Sequence, residues 1–426
     1  MSIQKEIPEL LKAGVINQET ASRILDYYRI EKGTSNNRFF IVFGVLGAII
    51  TGLGIILIIA HNWDELSRFT RTIFAFLPLV IGQILCAYVL MKRRQSTAWR
   101  EAGAAFLFFA VGASISLVSQ VYNIPGNLGS FLLTWMLLCF PLIYVMRSSI
   151  VSLLYLAGIT FYACEIGYWS FPTSFPYLFW PLFLLITPHY YLFREKSRSN
   201  FINFHNWLVP LSLVIVLGAF SKYHEEFMFT AYISLLGLLY LIGDSEFFRG
   251  NKLRNNGYKI IGSLGTVGLL LASSFDWFWE SLRRKDLELA ELINAPEFLA
   301  FIIISLLAMG MFYFNQKNRS LIDIKPLSPI FILFMITFFL GFFSSIAVVL
   351  INIYILGLGI LIIREGGNQN HLGILNFGLL IITALVTCRF FDTDLSFVFR
   401  GIMFVLVGTG FFAANYWLLK KRKVNE

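Results

Sequence analysis

The polar chemistry of this 426-residue chain gathers where apolar runs end. His61-Asn62-Trp63-Asp64-Glu65 closes a glycine-rich run, and Gln120-Val121-Tyr122-Asn123-Ile124-Pro125-Gly126-Asn127 closes another. Trp135 sits in the next run, and Glu165 with Tyr168 stands at the end of the one after it. Amides, indoles, a phenol, carboxylates and an imidazole at one depth would make a pocket for a hydroxylated or charged ligand. The ligand-binding candidates are therefore His61, Asn62, Trp63, Asp64, Gln120, Tyr122, Asn123, Trp135 and Glu165. Trp and Tyr also collect at any membrane–water interface, so a headgroup-level belt is the plain alternative. Glu165 is the candidate titrating group within the membrane, since ionisable residues inside spans are costly and usually functional. Arg389 and Arg400, with Asp392 and Asp394 beside them, are the ion-pair candidates that would make its role structural instead.

Other chemistries find little support. The five histidines show no HExxH or paired spacing. Cys86, Cys139, Cys164 and Cys388 all fall in apolar runs without a CxxC. Neither a metal site nor a disulfide framework is expected. No Walker loop, dinucleotide fingerprint or GxSxG elbow occurs, so no cofactor and no catalytic residue is assigned. His61 and Asp64 could offer acid–base chemistry, on sequence proximity alone.

Membrane helices must position these residues. The chain is 57% hydrophobic and 14% charged, against about 25% charged in a soluble domain. About 20 apolar residues cross a bilayer core of roughly 30 Å. The runs 39–60, 70–91, 102–121, 129–146, 149–168, 176–193, 206–220, 227–242, 258–275, 298–315, 326–342, 344–363, 371–388 and 396–419 predict an all-α, polytopic integral membrane protein of about fourteen spans. The charge-free stretch 326–363 is too long for one helix and fits two, with Gly341, Ser344 and Ser345 at the hairpin. Gly44, Gly47, Gly52 and Gly54 in the first span, and Gly103 and Gly112 in the third, suit close helix approach and predict central helices. The first 38 residues show no secretory signal pattern, so the first span is expected to direct insertion.

With a cytoplasmic N-terminus, alternation puts 26 of the 34 Lys and Arg inside, including the tail Lys420-Lys421-Arg422-Lys423. That is the positive-inside pattern. It accounts for the net charge of +9 without a nucleic-acid partner. Both termini are expected in the cytoplasm.

Three regions follow: a cytoplasmic amphipathic helical hairpin over 1–38, a transmembrane helical domain over 39–419, and a basic tail over 420–426. In the hairpin, Gly14 ends one helix and Asn17 caps the next. So few residues make no independent core; the hairpin must pack on its own chain, a second copy or a cytoplasmic partner. The external segment 276–297, with Trp277 and Trp279 at its start, reads as an amphipathic interfacial helix.

The hairpin LLKAGVINQETASRIL, the exit IIAHNWDE, the exit SQVYNIPGN and Trp135 together resemble the bacterial membrane proteins of domain-of-unknown-function family 2157. The C-terminal RFFDTDLSFVFRG and its basic tail look similar to the ends of such proteins. The resemblance implies a bacterial cytoplasmic membrane location and makes the HNWD and QVYN exits family features. It implies no activity. The leading functional expectation is a carrier or flippase-like transporter of a small polar or lipid-linked ligand, among membrane lipids, through an outer-half pocket. The alternatives are a non-enzymatic envelope sensor or scaffold signalling through the hairpin, and a membrane transferase acting on lipid-linked substrates.

Overall fold

The computed structural model describes residues 66–193, 200–222, 225–248, 250, 252–283, 295–317 and 324–391, with parts of 7–24, 42–57 and 396–412. Among the described residues there is helix and no strand. The helices are α1 (Arg68–Lys92), α2 (Thr97–Tyr122), α3 (Leu128–Val145), α4 (Ser149–Cys164), α5 (Phe179–Leu184), α6 (Thr187–Phe193) and α7 (Asn200–Gly218). They continue as α8 (Glu225–Gly243), α9 (Gly257–Ala272), α10 (Asp276–Arg283), α11 (Pro296–Gln316), α12 (Ile330–Gly341), α13 (Ile346–Asn368) and α14 (Leu372–Phe390). Every predicted run from 70–91 to 371–388 overlies helix. Among the described residues, nine helices are long and apolar enough to cross a membrane; α9 and α12 are shorter, so helix length alone does not reach fourteen.

Departures from the expected boundaries have local causes. The run 176–193 divides into α5 and α6, because Pro188 has no N–H to continue the helical ladder. The run 206–220 extends back to Asn200. Its polar first turns are satisfied from outside the helix: Asn206 Nδ2 donates to the Asn255 carbonyl and Trp207 Nε1 to that of Arg254. The segment 276–297 is described only to Arg283. There Trp279 is fully buried, with its indole on the Ser273 carbonyl, while Trp277 is exposed. In the N-terminal segment Gly14 adopts φ +69°, Asn17 Oδ1 accepts from Thr20 N, and Ile7 and Ala21 are buried.

The chain divides into two compact units: residues 1–165 with 177–201, and 166–176 with 202–426. In the first, α1 and α2 run antiparallel, tied by Ser114 Oγ to the Ala75 carbonyl and Thr72 Oγ1 to Tyr122 Oη. Helix α3 returns along α2, where Gly112 leaves room for an aromatic ring: a Cβ there would lie 2.6 Å from Trp135. At the opposite end of α2 from Tyr122, the buried Glu101 carboxylate caps α4, accepting from Ser148 Oγ, Ser149 N (3.0 Å) and Ile150 N (2.9 Å). Tyr144 Oη donates to the Leu185 carbonyl at that same end of α3.

In the second unit the most enclosed helix is α8. It packs parallel to α11, with Phe227 on Phe298 and Ser234 Oγ on Ser305 Oγ at 2.8 Å. It runs antiparallel to α9, where the contact is so close that a Cβ on Gly262 would meet the Tyr240 nitrogen at 2.5 Å. Helix α12 is also antiparallel to α8, through Gly237 on Phe331 and Phe227 on Phe338. Asp244, just past α8, ion-pairs with Lys259 (2.7 Å) and with Lys325, joining the near ends of α9 and the α12 approach. Burial raises the Asp244 carboxyl, but Lys259 and then Lys325 more than offset it and hold it below the usual carboxylate range. At the other end, Lys222 N donates to the buried Glu297 (2.7 Å), Arg389 Nη2 donates to Ser274 Oγ (3.0 Å), and Asn352 Nδ2 donates to the Ser274 carbonyl (3.0 Å).

Candidate functional site

The sequence candidates are dispersed. His61, Asn62, Trp63 and Asp64 lie outside the described residues, as do Asp392, Asp394 and Arg400. Gln120 is exposed on the last turn of α2. Tyr122 is exposed too; its hydroxyl meets Thr72 Oγ1 at 3.2 Å and the Arg68 guanidinium lies 4.9 Å from its ring centroid. Asn123 closes α2 in the left-handed region, at φ 49° and ψ 44°. Trp135 is a packing residue: its indole donates to the Phe108 carbonyl at 2.8 Å, and its ring lies on Phe108 and Phe131. Glu165 is half-buried where α4 widens into the π turn Glu165–Trp169. Among the described residues its carboxylate makes no hydrogen bond or ion pair. Arg389 lies in the second unit, against Ser274 and 4.3 Å from the centroid of Phe275.

The exit after α2 nonetheless borders a cavity. A groove of about 950 Å³ runs between α1, α2 and α3, and its lining includes Ile124, Pro125, Gly126 and Asn127 of that exit. Its polar lining is Ser114, Ser116 and Ser119 from α2, Ser130 and Thr134 from α3, and Gln83 from α1; Phe76, Leu79, Val111, Phe131 and Leu138 are among the apolar residues of its walls. From Ile124 to Val111 is thirteen residues, about 20 Å at 1.5 Å per residue. A second, almost wholly apolar groove of about 330 Å³ lies on the outer face of α1, lined by Thr72, Ile73, Phe76, Leu77 and Val80. Phe76 borders both.

The hydrogen bonding of the polar lining follows from local structure. Asn127 and Ser130 form a reciprocal capping box at the start of α3, Asn127 Oδ1 accepting from Ser130 N at 2.8 Å. Ser130 Oγ donates to the Asn127 carbonyl and Thr134 Oγ1 to that of Ser130. Ser119 Oγ donates to the Ile124 carbonyl at 2.9 Å, holding the turn after α2. These hydroxyls have used their protons on backbone, so they face the groove as acceptors. Gln83 and Ser116 make no hydrogen bond among the described residues and keep both donors and acceptors.

None of the described ligand-binding candidates lines this groove, although the exit carrying Gln120, Tyr122 and Asn123 runs on into its mouth at Ile124 to Asn127. Ser130 and Thr134 share a helix face at i, i+4 spacing, and Ser116 and Ser119 at i, i+3, a signal available in the sequence. Gln83 had none: one amide among apolar residues in a 25-residue helix says nothing about the direction it faces.

Helices of this length and apolar surface define a multi-helix membrane protein. Residues 8–152 match the family model of DUF2157, described as a predicted membrane protein, and the whole groove falls inside the match. No curated protein and no solved structure matches the chain.

Proposed function

We propose that the chain is a multi-pass membrane carrier, flippase-like in mode, that engages its ligand in the α1–α2–α3 groove from the outer leaflet. The observation that carries the reading is a groove about 20 Å long, against a bilayer core of roughly 30 Å, whose hydroxyls line its outer half as far as Ser114 and Thr134 and whose Gln83 amide lies deeper on α1. Hydroxyl and amide groups at such depth are costly unless something pairs with them. A passing polar group would do so, while the apolar walls keep the site continuous with lipid.

The reading includes fourteen crossings with both termini, and the 1–38 hairpin, in the cytoplasm. Contacts within each unit support alternation. Glu101 with Ser148, and Asp244 with Lys259 and Lys325, each join positions that alternation assigns to the inner side. Thr72 with Tyr122, and Lys222 with Glu297, join outer positions. In a cysteine-free background, single cysteines at Ser67 and Ser96 flank α1. An impermeant maleimide added to cells should label the first and spare the second; the reverse pattern overturns the orientation.

Transport is tested in proteoliposomes carrying a fluorescent short-chain lipid, followed by dithionite quenching. The wild-type protein should speed passage of lipid from the inner leaflet, and Ser119→Trp, which fills the groove, should slow it severalfold. A wild-type rate no faster than protein-free vesicles would sink the carrier reading.

A further inference from the structure

The lining of the groove points to the chemistry of its occupant, an inference that rests on the groove reading above. None of the described lining residues is ionisable. The hydrogen-bonding side chains are Gln83, Ser114, Ser116, Ser119, Asn127, Ser130 and Thr134, of which Ser114 commits its proton to the Ala75 carbonyl. Ser119, Ser130 and Thr134 offer acceptor lone pairs, since each hydroxyl proton goes to a backbone carbonyl. Donors come from the Gln83 amide, the Ser116 hydroxyl and the Asn127 Nδ2, whose partner oxygen is already engaged by Ser130 N. A neutral wall that mixes donors and acceptors matches hydroxyl groups, each of which is both. A phosphate would present only acceptors and uncompensated charge, and burying that charge without a cation is expensive. An ammonium group would find no carboxylate among the described lining residues.

The second groove supplies the other half of the argument. Phe76 separates a polar groove from an apolar one, and Phe76 and Leu138 are 44% and 58% exposed, so both faces are open at the lipid side. A free sugar leaves that apolar strip uncovered, whereas an alkyl chain crossing the Phe76 ridge covers it. We propose that the occupant is a glycolipid: an uncharged, polyhydroxylated headgroup against the α2–α3 hydroxyls, with its chain over Phe76 along the outer face of α1. The volume of the polar groove is near the upper end of ordinary ligand sites, about 300–1,000 Å³, enough for a glycosyl head.

The test uses the full chain extracted into polymer-bounded lipid discs without glycosidic detergent. The probe is a photoreactive alkyl glucoside, compared with an alkyl phosphate of the same chain. The glucoside should label peptides from α1, α2 or α3 and be competed by unlabelled alkyl glucoside, but not by alkyl phosphate or by glucose. Gln83→Leu and Ser116→Ala, neither of which breaks a hydrogen bond among the described residues, should each lower that labelling severalfold at unchanged melting temperature. Phe76→Ala should weaken it as well. Equal labelling by the alkyl phosphate, displacement by glucose alone, or indifference to Gln83→Leu would each overturn the proposal. Groove labelling without lipid passage in proteoliposomes would leave the headgroup assignment standing and remove only the carrier reading.

Discussion

Replacing Glu101 by Ala should destabilise the protein by about 3–5 kcal/mol, because three donors lose a buried acceptor at once. Glu101 is 1% exposed, and its two oxygens accept from the Ser148 hydroxyl and the Ser149 and Ile150 amides. Those two amides belong to the first turn of α4, where backbone donors have no partner within the helix. A carboxylate there also faces the positive end of the helix dipole. The contact therefore caps α4 and fastens it to α2 in one step. Glu101→Gln keeps one acceptor oxygen but turns an NH₂ toward donors, and should cost about 1–2 kcal/mol. Denaturant titration in mixed micelles reads the difference. A Glu101→Ala midpoint equal to wild type would mean that the capping geometry carries no weight.

The second large effect is expected at Asp244. Asp244→Ala leaves the ammonium groups of Lys259 and Lys325 close together with their shared acceptor gone. The Asp244 side chain is 4% exposed, whereas the lysines are 28% and 29% exposed, so water relieves part of the cost. A loss of about 2–4 kcal/mol is expected. Lys325→Met in the same background should recover part of it, since the repulsion is then removed. The pH dependence has a definite sign. The folded carboxyl is held below its unfolded value of 3.8, so its contribution is present above that value and is lost as pH falls through the lower, folded one. Between neutral pH and about pH 5, well above the ordinary carboxylate value, this stabilisation should stay flat. Below pH 4 the wild type should lose it and Asp244→Asn should lose less. Parallel acid limbs for the two proteins would contradict the ion-pair assignment.

Both residues show where sequence reading stops. Glu101 is one charge among several in a short loop, and its partners at Ser148, Ser149 and Ile150 lie nearly fifty positions away. Asp244 and Lys325 are separated by 81 positions. Nothing in either neighbourhood announces the other, because such pairs exist only once helices have packed. Glu165 was the intramembrane acid that hydropathy picked out, being a charge within an apolar run. Among the described residues the deeply buried acid side chains are Glu101, Asp244, Glu226 and Glu297, at helix ends where hydropathy averages them into loops.

What the amino-acid sequence determined by itself is the class and its segmentation. Apolar runs must become helices in lipid, because backbone groups there have no other partner, and this is why α1–α4, α8, α9 and α11–α14 follow the runs. It also determined the small-residue positions that permit close approach, such as Gly112 beneath Trp135 and Gly262 against Tyr240. The tertiary structure decided which polar residues share a space. Trp135, an apparent ligand residue, spends its N–H on the Phe108 carbonyl, while the unremarked Gln83 and Thr134 line the groove. The physical reason is one of direction. Hydropathy fixes that a residue lies in a helix and at roughly what depth, but the rotation of that helix about its axis is set by contacts with neighbours far along the chain, and that rotation selects the side chains that meet.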